Sequence, residues 1–314
     1  MHILLYLSGM LLVILLGSVL VLRLLRLFSD WSQRQLMHLL VLITPLVSLI
    51  VLMGGLQHVL DQECVSNASA WDATLDITVL LLVGSTLVGA LVLGLGRLVL
   101  MKRVMKQQEV IAAPDLQALV DHFAHQRGFP QLCLHLVRAD RPLALLYGIR
   151  RPTMLLSTWM IDHLDRQELE AVLMHELVHV RRRDYLLNWV ALLLRDAFFY
   201  LPTSRIAYRQ LHREKELASD DLVAQATKRP LALASALTKV WLSRVDDAPS
   251  KIVQTLLSRG ESIADRVDRL LGMRNQTAGK PPLYFFSLGV GTSISVVVMD
   301  IVVSLAFTAA LLNC

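Results

Sequence analysis

Histidine and glutamate fall at three of five consecutive positions in His175-Glu176-Leu177-Val178-His179. Histidines four residues apart on a helix stand one turn apart on one face, so both imidazoles can reach one metal ion. Glu176 lies on the adjoining edge, where a carboxylate can take a proton from a metal-activated water. The spacing is that of H-E-x-x-H, in which the histidines are zinc ligands and the glutamate is the general base of a hydrolysis. The competing reading is an ordinary helix carrying two surface histidines. Ala171, Val172, Leu173, Leu177, Val178 and Val180 argue for a buried helix instead. Two imidazoles and a carboxylate on such a helix need partners, and a metal supplies them.

Catalytic zinc takes three protein ligands and leaves a position for water. Asp184, His212, Glu214, Glu216, Asp220 and Asp221 are all open as the third. Residues 205–226 read as one helix with Leu211, Ala218, Leu222 and Ala226 along its apolar stripe. Glu216 and Asp220 share a face at i and i+4, so that one carboxylate can bind the metal while the other orients a ligand histidine. A solvated acidic face fits the spacing equally well, because Glu214, Lys215 and Asp221 are charged too. His212 and Arg213 are candidates to stabilise an oxyanion, and Arg213 is as good a candidate for a structural ion pair.

The elements that must position these residues can be read around them. Asp165 is an N-cap with Glu168 three residues on, a capping box that starts the motif helix. Upstream, Pro114 and Asp115 open a helix with Leu116, Leu119, Val120 and Phe123 on one face, closed by Gly128-Phe129-Pro130. Leu132 to Val137, Leu143 to Tyr147 and Thr153 to Ser157 read as strands, the last two flanking Arg150-Arg151-Pro152. Trp159 to Leu164 is a helical turn. Downstream, Leu186 to Leu201 is apolar but interrupted by Asn188, Arg195 and Asp196. It reads as a helix packed in the domain or lying on a membrane surface, not as a further span. Residues 262–272 read as a short amphipathic helix with Arg266, Asp268 and Arg269 on a solvated face.

Composition sets the surroundings. Of 314 residues, 54% are hydrophobic and the mean hydropathy is +0.52, too apolar for an ordinary soluble domain. Apolar stretches at about 3–22, 36–56 (with Pro45 inside), 77–95 and within 283–312 are each long enough to cross roughly 30 Å of hydrocarbon. Arg23, Arg26 and Arg34 lie between the first and second; Arg97, Lys102, Arg103 and Lys106 follow the third. The loop 57–76 has no Lys or Arg and carries Asp61, Glu63, Asp72 and Asp76. The positive-inside rule then places both termini and that acidic loop outside and the long segment from 107 to 280 in the cytoplasm. The expected layout is three spans in 1–106, a cytoplasmic α+β domain over 107–280, and a fourth span with an outer C-terminus in 281–314. The net charge of +5 is accounted for by basic residues flanking spans, with no nucleic-acid partner required. Three cysteines without a C-x-x-C pair exclude a thiolate zinc ribbon. Cys64 and Cys314 fall on the outer face, where a disulfide is one reading and two unrelated thiols the other. Asp300 in the last span is a functional hint, or a partner for a polar group such as His38.

These residues together resemble the membrane-embedded gluzincin peptidases of the BlaR/MecR type. The resemblance rests on the motif, on Arg183-Asp184 and Asn188, on Arg213-x-x-Glu216-x-x-x-Asp220, on Tyr147-Gly148-Ile149-Arg150-Arg151-Pro152, and on the order of spans and domain. It implies a zinc endopeptidase in a bacterial inner membrane, with one Zn2+ held by His175, His179 and Glu216, Glu176 as general base and Asp220 orienting a ligand histidine. It also implies an edge strand near Gly148 that receives an extended protein substrate by strand addition. Proteins of that type continue past the fourth span into a penicillin-binding sensor. With the sequence ending at Cys314, the expectation is a protease core whose signal arrives through the outer loop, the membrane helices, a second copy or a partner sensor protein. A site-specific signalling protease cutting a repressor-type target is the expected function. The alternatives are a quality-control protease of the HtpX type and a non-catalytic receptor that keeps the fold.

Overall fold

The computed structural model describes residues 12, 14–23, 31–61, 70–128, 132–148, 152–246, 263–272, 298 and 302. It is mainly helical, and the chain divides into two compact units. The first comprises Met1–Leu98, Trp189–Glu214 and Gly279–Cys314; the second comprises Val99–Asn188 and Lys215–Ala278.

In the first unit lie α1 (Ile14–Arg23), α2 (Trp31–Asp61) and most of α3 (Ala70–Lys106). Within α3, Leu81–Met105 is the one stretch among the described residues long and apolar enough to cross a membrane. At 1.5 Å per residue it exceeds the roughly 30 Å of a hydrocarbon core. Leu81, Leu82, Val88 and Val92 on it are exposed, a row of apolar groups suited to lipid contact. Ile14–Arg23 and Arg34–Ile50 are shorter apolar helices. Of the expected fourth span only Val298 and Val302 are described; Asp300, Cys64 and Cys314 lie outside the described residues. Residues 189–214, which comprise the later part of α7 (Asp184–Ala197) and the start of α8 (Pro202–Thr227), pack with these helices. Arg97 pairs with Asp196, Asp196 pairs with Arg195 at 2.5 Å, and the Arg195 guanidinium sits 4.7 Å from the Tyr208 ring centre. Gly94 lets α3 and α7 approach closely, since a Cβ there would overlap the Leu193 side chain. Arg34 at the start of α2 bonds Glu214 at 3.0 Å.

The second unit is a small sheet covered by helices. Its strands are β1 (Val110–Ile111), β2 (Cys133–Val137), β3 (Ala144–Tyr147) and β4 (Thr153–Ser157), in the order β1-β2-β4-β3. β2 and β4 are parallel, so β3 leaves β2's side, turns at the edge and returns as β4 antiparallel to it. β3 therefore pairs with β4 alone among the described residues. β4 has the expected bounds, and β2 and β3 each start one residue later than expected. The two-residue β1 has no counterpart among the strands expected from the sequence.

The remaining helices are α4 (Pro114–Arg127), α5 (Thr158–His163), α6 (Arg166–Arg182), α9 (Pro230–Asp246) and α10 (263–272). α4 has Pro at its first position and ends on Gly128 at φ 63, the left-handed conformation that glycine adopts without strain. α6 is buried on nearly every side because it is the middle layer. Leu169, Val172, Leu173, Leu177 and Val180 pack on Leu134, Leu136, Met154 and Leu156 of the sheet. Ala171, Met174 and Val178 pack on Val223 of α8, Leu233 and Ala234 of α9, and Leu270 of α10. The capping box forms as expected: Asp165 accepts from the Gln167 and Glu168 backbones, and Glu168 accepts from the Asp165 backbone at 2.8 Å. The buried Glu168 also accepts from Lys239 at 2.7 Å and Ser235 at 2.5 Å, which ties α9 to the start of α6.

Candidate metal centre

Three donor groups meet in the second unit, from α6 and from α8. His175, His179 and Glu216 each offer one ligand atom, all within 4.8 Å of one another. The two Nε2 atoms are 3.1 Å apart. Glu216 completes the triangle, with Oε2 3.4 Å from His175 Nε2 and Oε1 3.7 Å from His179 Nε2. Ligands placed tetrahedrally at zinc distances lie about 3.3–3.6 Å apart, so the triangle has the size the ion requires.

The outer nitrogens fix how the rings face. His179 Nδ1 lies 2.6 Å from Asp184 Oδ2, and His175 Nδ1 lies 3.1 Å from Asp220 Oδ1, close but off hydrogen-bond alignment. Carboxylates at Nδ1 hold the proton on that side and leave the Nε2 lone pairs turned inward. Two lone pairs facing each other at 3.1 Å repel unless a proton or a cation lies among them. With a carboxylate at the third corner, the donor set fits zinc.

A break in the backbone makes the Asp184 contact. On a continuous helix, residues five apart diverge by about 140°, so Asp184 could not return to His179. Arg183 interrupts the helix at φ 55 and ψ 35, a left-handed conformation that costs a side-chain-bearing residue about 1–2 kcal/mol. The reversal starts α7 with Asp184, 2% exposed, beneath the ring it holds. Ser219 stands 3.3 Å from the same nitrogen.

The charges in this cluster are strongly coupled. Burial alone would lower His175, but the carboxylates of Asp220 and Glu216 push it up to about 9. His179 is likewise raised against burial, by Asp184 and Glu216. Burial would raise Glu216, yet the two imidazoles hold it well below the usual carboxylate range. Metal must displace protons from these imidazoles to bind.

Glu176 follows His175 on α6 and is half-buried, while its neighbours His175 and Leu177 are buried. Gly148, at φ 93, ends the edge strand β3. His212 and Arg213 are exposed, one turn before Glu216 on α8, and lie outside the donor group. Of the residues left open as third ligand, Glu216 is the one that joins the histidines. Asp184 faces a histidine from its outer side, Glu214 pairs with Arg34, and Asp221 pairs with Arg269.

One sequence reading is corrected. Arg266 and Arg269 of α10 do not form a solvated face. Arg266 bonds Asp220 through two nitrogens at 2.6 and 2.8 Å, and Arg269 bonds Asp221 the same way at 2.9 and 2.8 Å. A polar stripe on a short helix looks the same whether it meets water or an acidic neighbour. The i and i+3 spacing of the arginines against the adjacent Asp220 and Asp221 is the only signal the sequence offers.

A family model described as BlaR1 peptidase M56 matches residues 53–270, more than half of the chain. Among curated proteins, the chain is similar to "Protease HtpX homolog" of Salinibacter ruber, 31% identical over 40% of this chain and 55% of that protein. It is similar to "Protease HtpX homolog 1" of Streptomyces coelicolor, 31% identical over 44% of this chain and 56% of that protein. A third, "Protease HtpX homolog" of Acaryochloris marina, is 25% identical over 56% of this chain and 78% of its own length. The matched stretch is about half the length of the first two relatives.

Proposed function

The chain belongs to the M56 peptidase family, and from that premise we propose that it is a membrane-anchored zinc endopeptidase. The observation that carries the reading is the triangle of His175, His179 and Glu216, with each histidine backed by a buried carboxylate. Zinc held there would lower the pKa of a bound water and polarise a peptide carbonyl. Glu176 would be the base that takes the proton of the attacking water. It then delivers the proton to the amine as the C–N bond breaks. Asp184 and Asp220 keep the two rings in the ligand orientation throughout.

β3 supports an extended substrate. Among the described residues it is a sheet edge, α6 lies against it, and an edge of this kind can take one more antiparallel strand. Gly148 follows it at φ 93. His212 and Arg213 remain candidates for substrate contact one turn along α8. In this reading residues 107–280 work on the cytoplasmic side of a bacterial inner membrane, with the basic residues after α3 inside, and the signal enters through the helices, a second copy or a partner sensor.

The substrate is a signalling protein of repressor type in the first reading, which rests on the three expected spans ahead of the domain and on Arg213-x-x-Glu216-x-x-x-Asp220. A second reading starts from the similarity to HtpX homologues and makes the protein a quality-control protease with many substrates. Cells carrying Glu176→Gln, compared with wild type by quantitative proteomics, separate them. One protein stabilised or trapped supports the first, and a broad set of membrane proteins supports the second. An unchanged proteome, with purified Glu176→Gln retaining one zinc and full cleavage, would remove Glu176 from the mechanism.

A further inference from the structure

We propose that Arg266 is a positioning residue of the metal centre, setting the carboxylates of Asp220 and Glu216 and, through Asp220, the ring of His175. The inference rests on the zinc-peptidase reading above and concerns an element far along the chain from the motif. Arg266 is half-buried, its side chain 11% exposed, and the Asp220 it grips is 1% exposed. Its Nε and Nη2 take the two Asp220 oxygens. Its remaining terminal nitrogen, Nη1, stands 3.5 Å from Glu216 Oε2. One planar guanidinium thus spans the carboxylate behind His175 and the carboxylate beside it. That is a task for a fork and not for a point charge.

α10 is anchored well enough to hold such a position. Leu270, 1% exposed, is packed with Met174, Val178 and Val223. Arg269 makes a second two-nitrogen pair with Asp221 one residue along α8. The two pairs run side by side, but only the first reaches the donor set.

Charge and geometry make opposite predictions for this residue. Taking one positive charge from beside a dication's ligands should tighten zinc binding if charge is all that Arg266 contributes. If Arg266 positions, its loss leaves the buried Asp220 without the fork that sets it, so that it can turn away from His175, 3.1 Å away, and zinc binding weakens. Partners of metal-ligating histidines typically account for about 10–100-fold in affinity, and the same range is expected here.

The test uses the full chain in detergent, with zinc affinity from chelator competition and the visible absorption of the Co2+-substituted protein as a report on ligand geometry. Arg266→Gln should bind zinc about 10–100-fold more weakly and shift the Co2+ bands. Arg266→Lys, which keeps the charge, should fall between Gln and wild type, and it carries the test should the Gln variant fail to fold. Arg269→Gln should lower thermal stability and leave the Co2+ spectrum as in wild type. Equal or tighter zinc binding by both Arg266 variants, or a shift in Arg269→Gln as large as in Arg266→Gln, overturns the proposal. A wild-type chain that binds no zinc, or binds it equally well as His175→Ala, overturns the metal centre itself, which is a different result.

Discussion

Asp184 gives the sharpest test of how the histidines are held. Its carboxylate is 2% exposed and lies 2.6 Å from His179 Nδ1, a short, charge-assisted bond. Hydrogen bonds to a charged group contribute about 1.5–3 kcal/mol. At about 1.4 kcal/mol per factor of ten, Asp184→Ala should weaken zinc binding roughly ten- to hundred-fold. Asp184→Asn keeps an acceptor oxygen and loses the charge. Neutral bonds are about half as strong, so that variant should lose no more than about tenfold. Ser219 limits the alanine effect, because its hydroxyl is 3.3 Å from the same nitrogen. That hydroxyl already donates to the Lys215 carbonyl at 3.1 Å and can accept from His179 in Asp184→Ala. The double variant with Ser219→Ala should therefore lose more than the two single losses combined. Chelator competition at fixed pH measures wild type and all four variants, Ser219→Ala alone included. If the double variant bound zinc as tightly as wild type, neither residue would be orienting His179, and the inward-facing lone pairs would need another cause.

Three further outcomes follow from the same contacts. In metal-free protein, His175 is raised against burial to about 9 from 6.5 by Asp220 and Glu216; a raised group stabilises below its unfolded value, so stability should fall as pH rises from 6.5 through about 9. Glu216 and Asp220 are lowered, so their contribution should vanish in acid, and thermal melts of chelated protein that stay flat across both windows would count against the coupling. Leu177, fully buried between sheet and helix layer, should lose about 2–5 kcal/mol on truncation to alanine, read by denaturant unfolding of zinc-loaded protein. Asp165→Ala removes the cap of α6 and should lower stability by about 1 kcal/mol; a melting temperature equal to wild type would mean that the capping box carries no weight.

What the sequence reveals here is what lies within one element. The motif histidines share a face because four residues nearly close a turn, and α6 starts where Asp165 and Glu168 can cap it. β4 is legible because Pro152 and the helical Thr158 bound a short apolar run. Glu216 and Asp220 stand out together by the same one-turn rule. The role of Asp184 does not follow from spacing, because it depends on one left-handed residue, Arg183, and nothing in an arginine announces that conformation. α9 is hard to read because Pro230–Asp246 is apolar on several sides, covering both α6 and the sheet cluster, which blurs the helical period.

The two histidines are supported in ways that differ in reach. His179 is held by a residue five positions away, so its geometry forms with the turn that ends α6. His175 is held by Asp220 on α8, and Asp220 by Arg266 on α10, so its geometry needs three helices assembled. The contact distances follow the same order: 2.6 Å and aligned at His179, 3.1 Å and off alignment at His175. A perturbation that loosens α10 should therefore release His175 and Glu216 while His179 stays oriented. Metal affinity would then respond to events at the end of the second unit that leave the motif helix untouched.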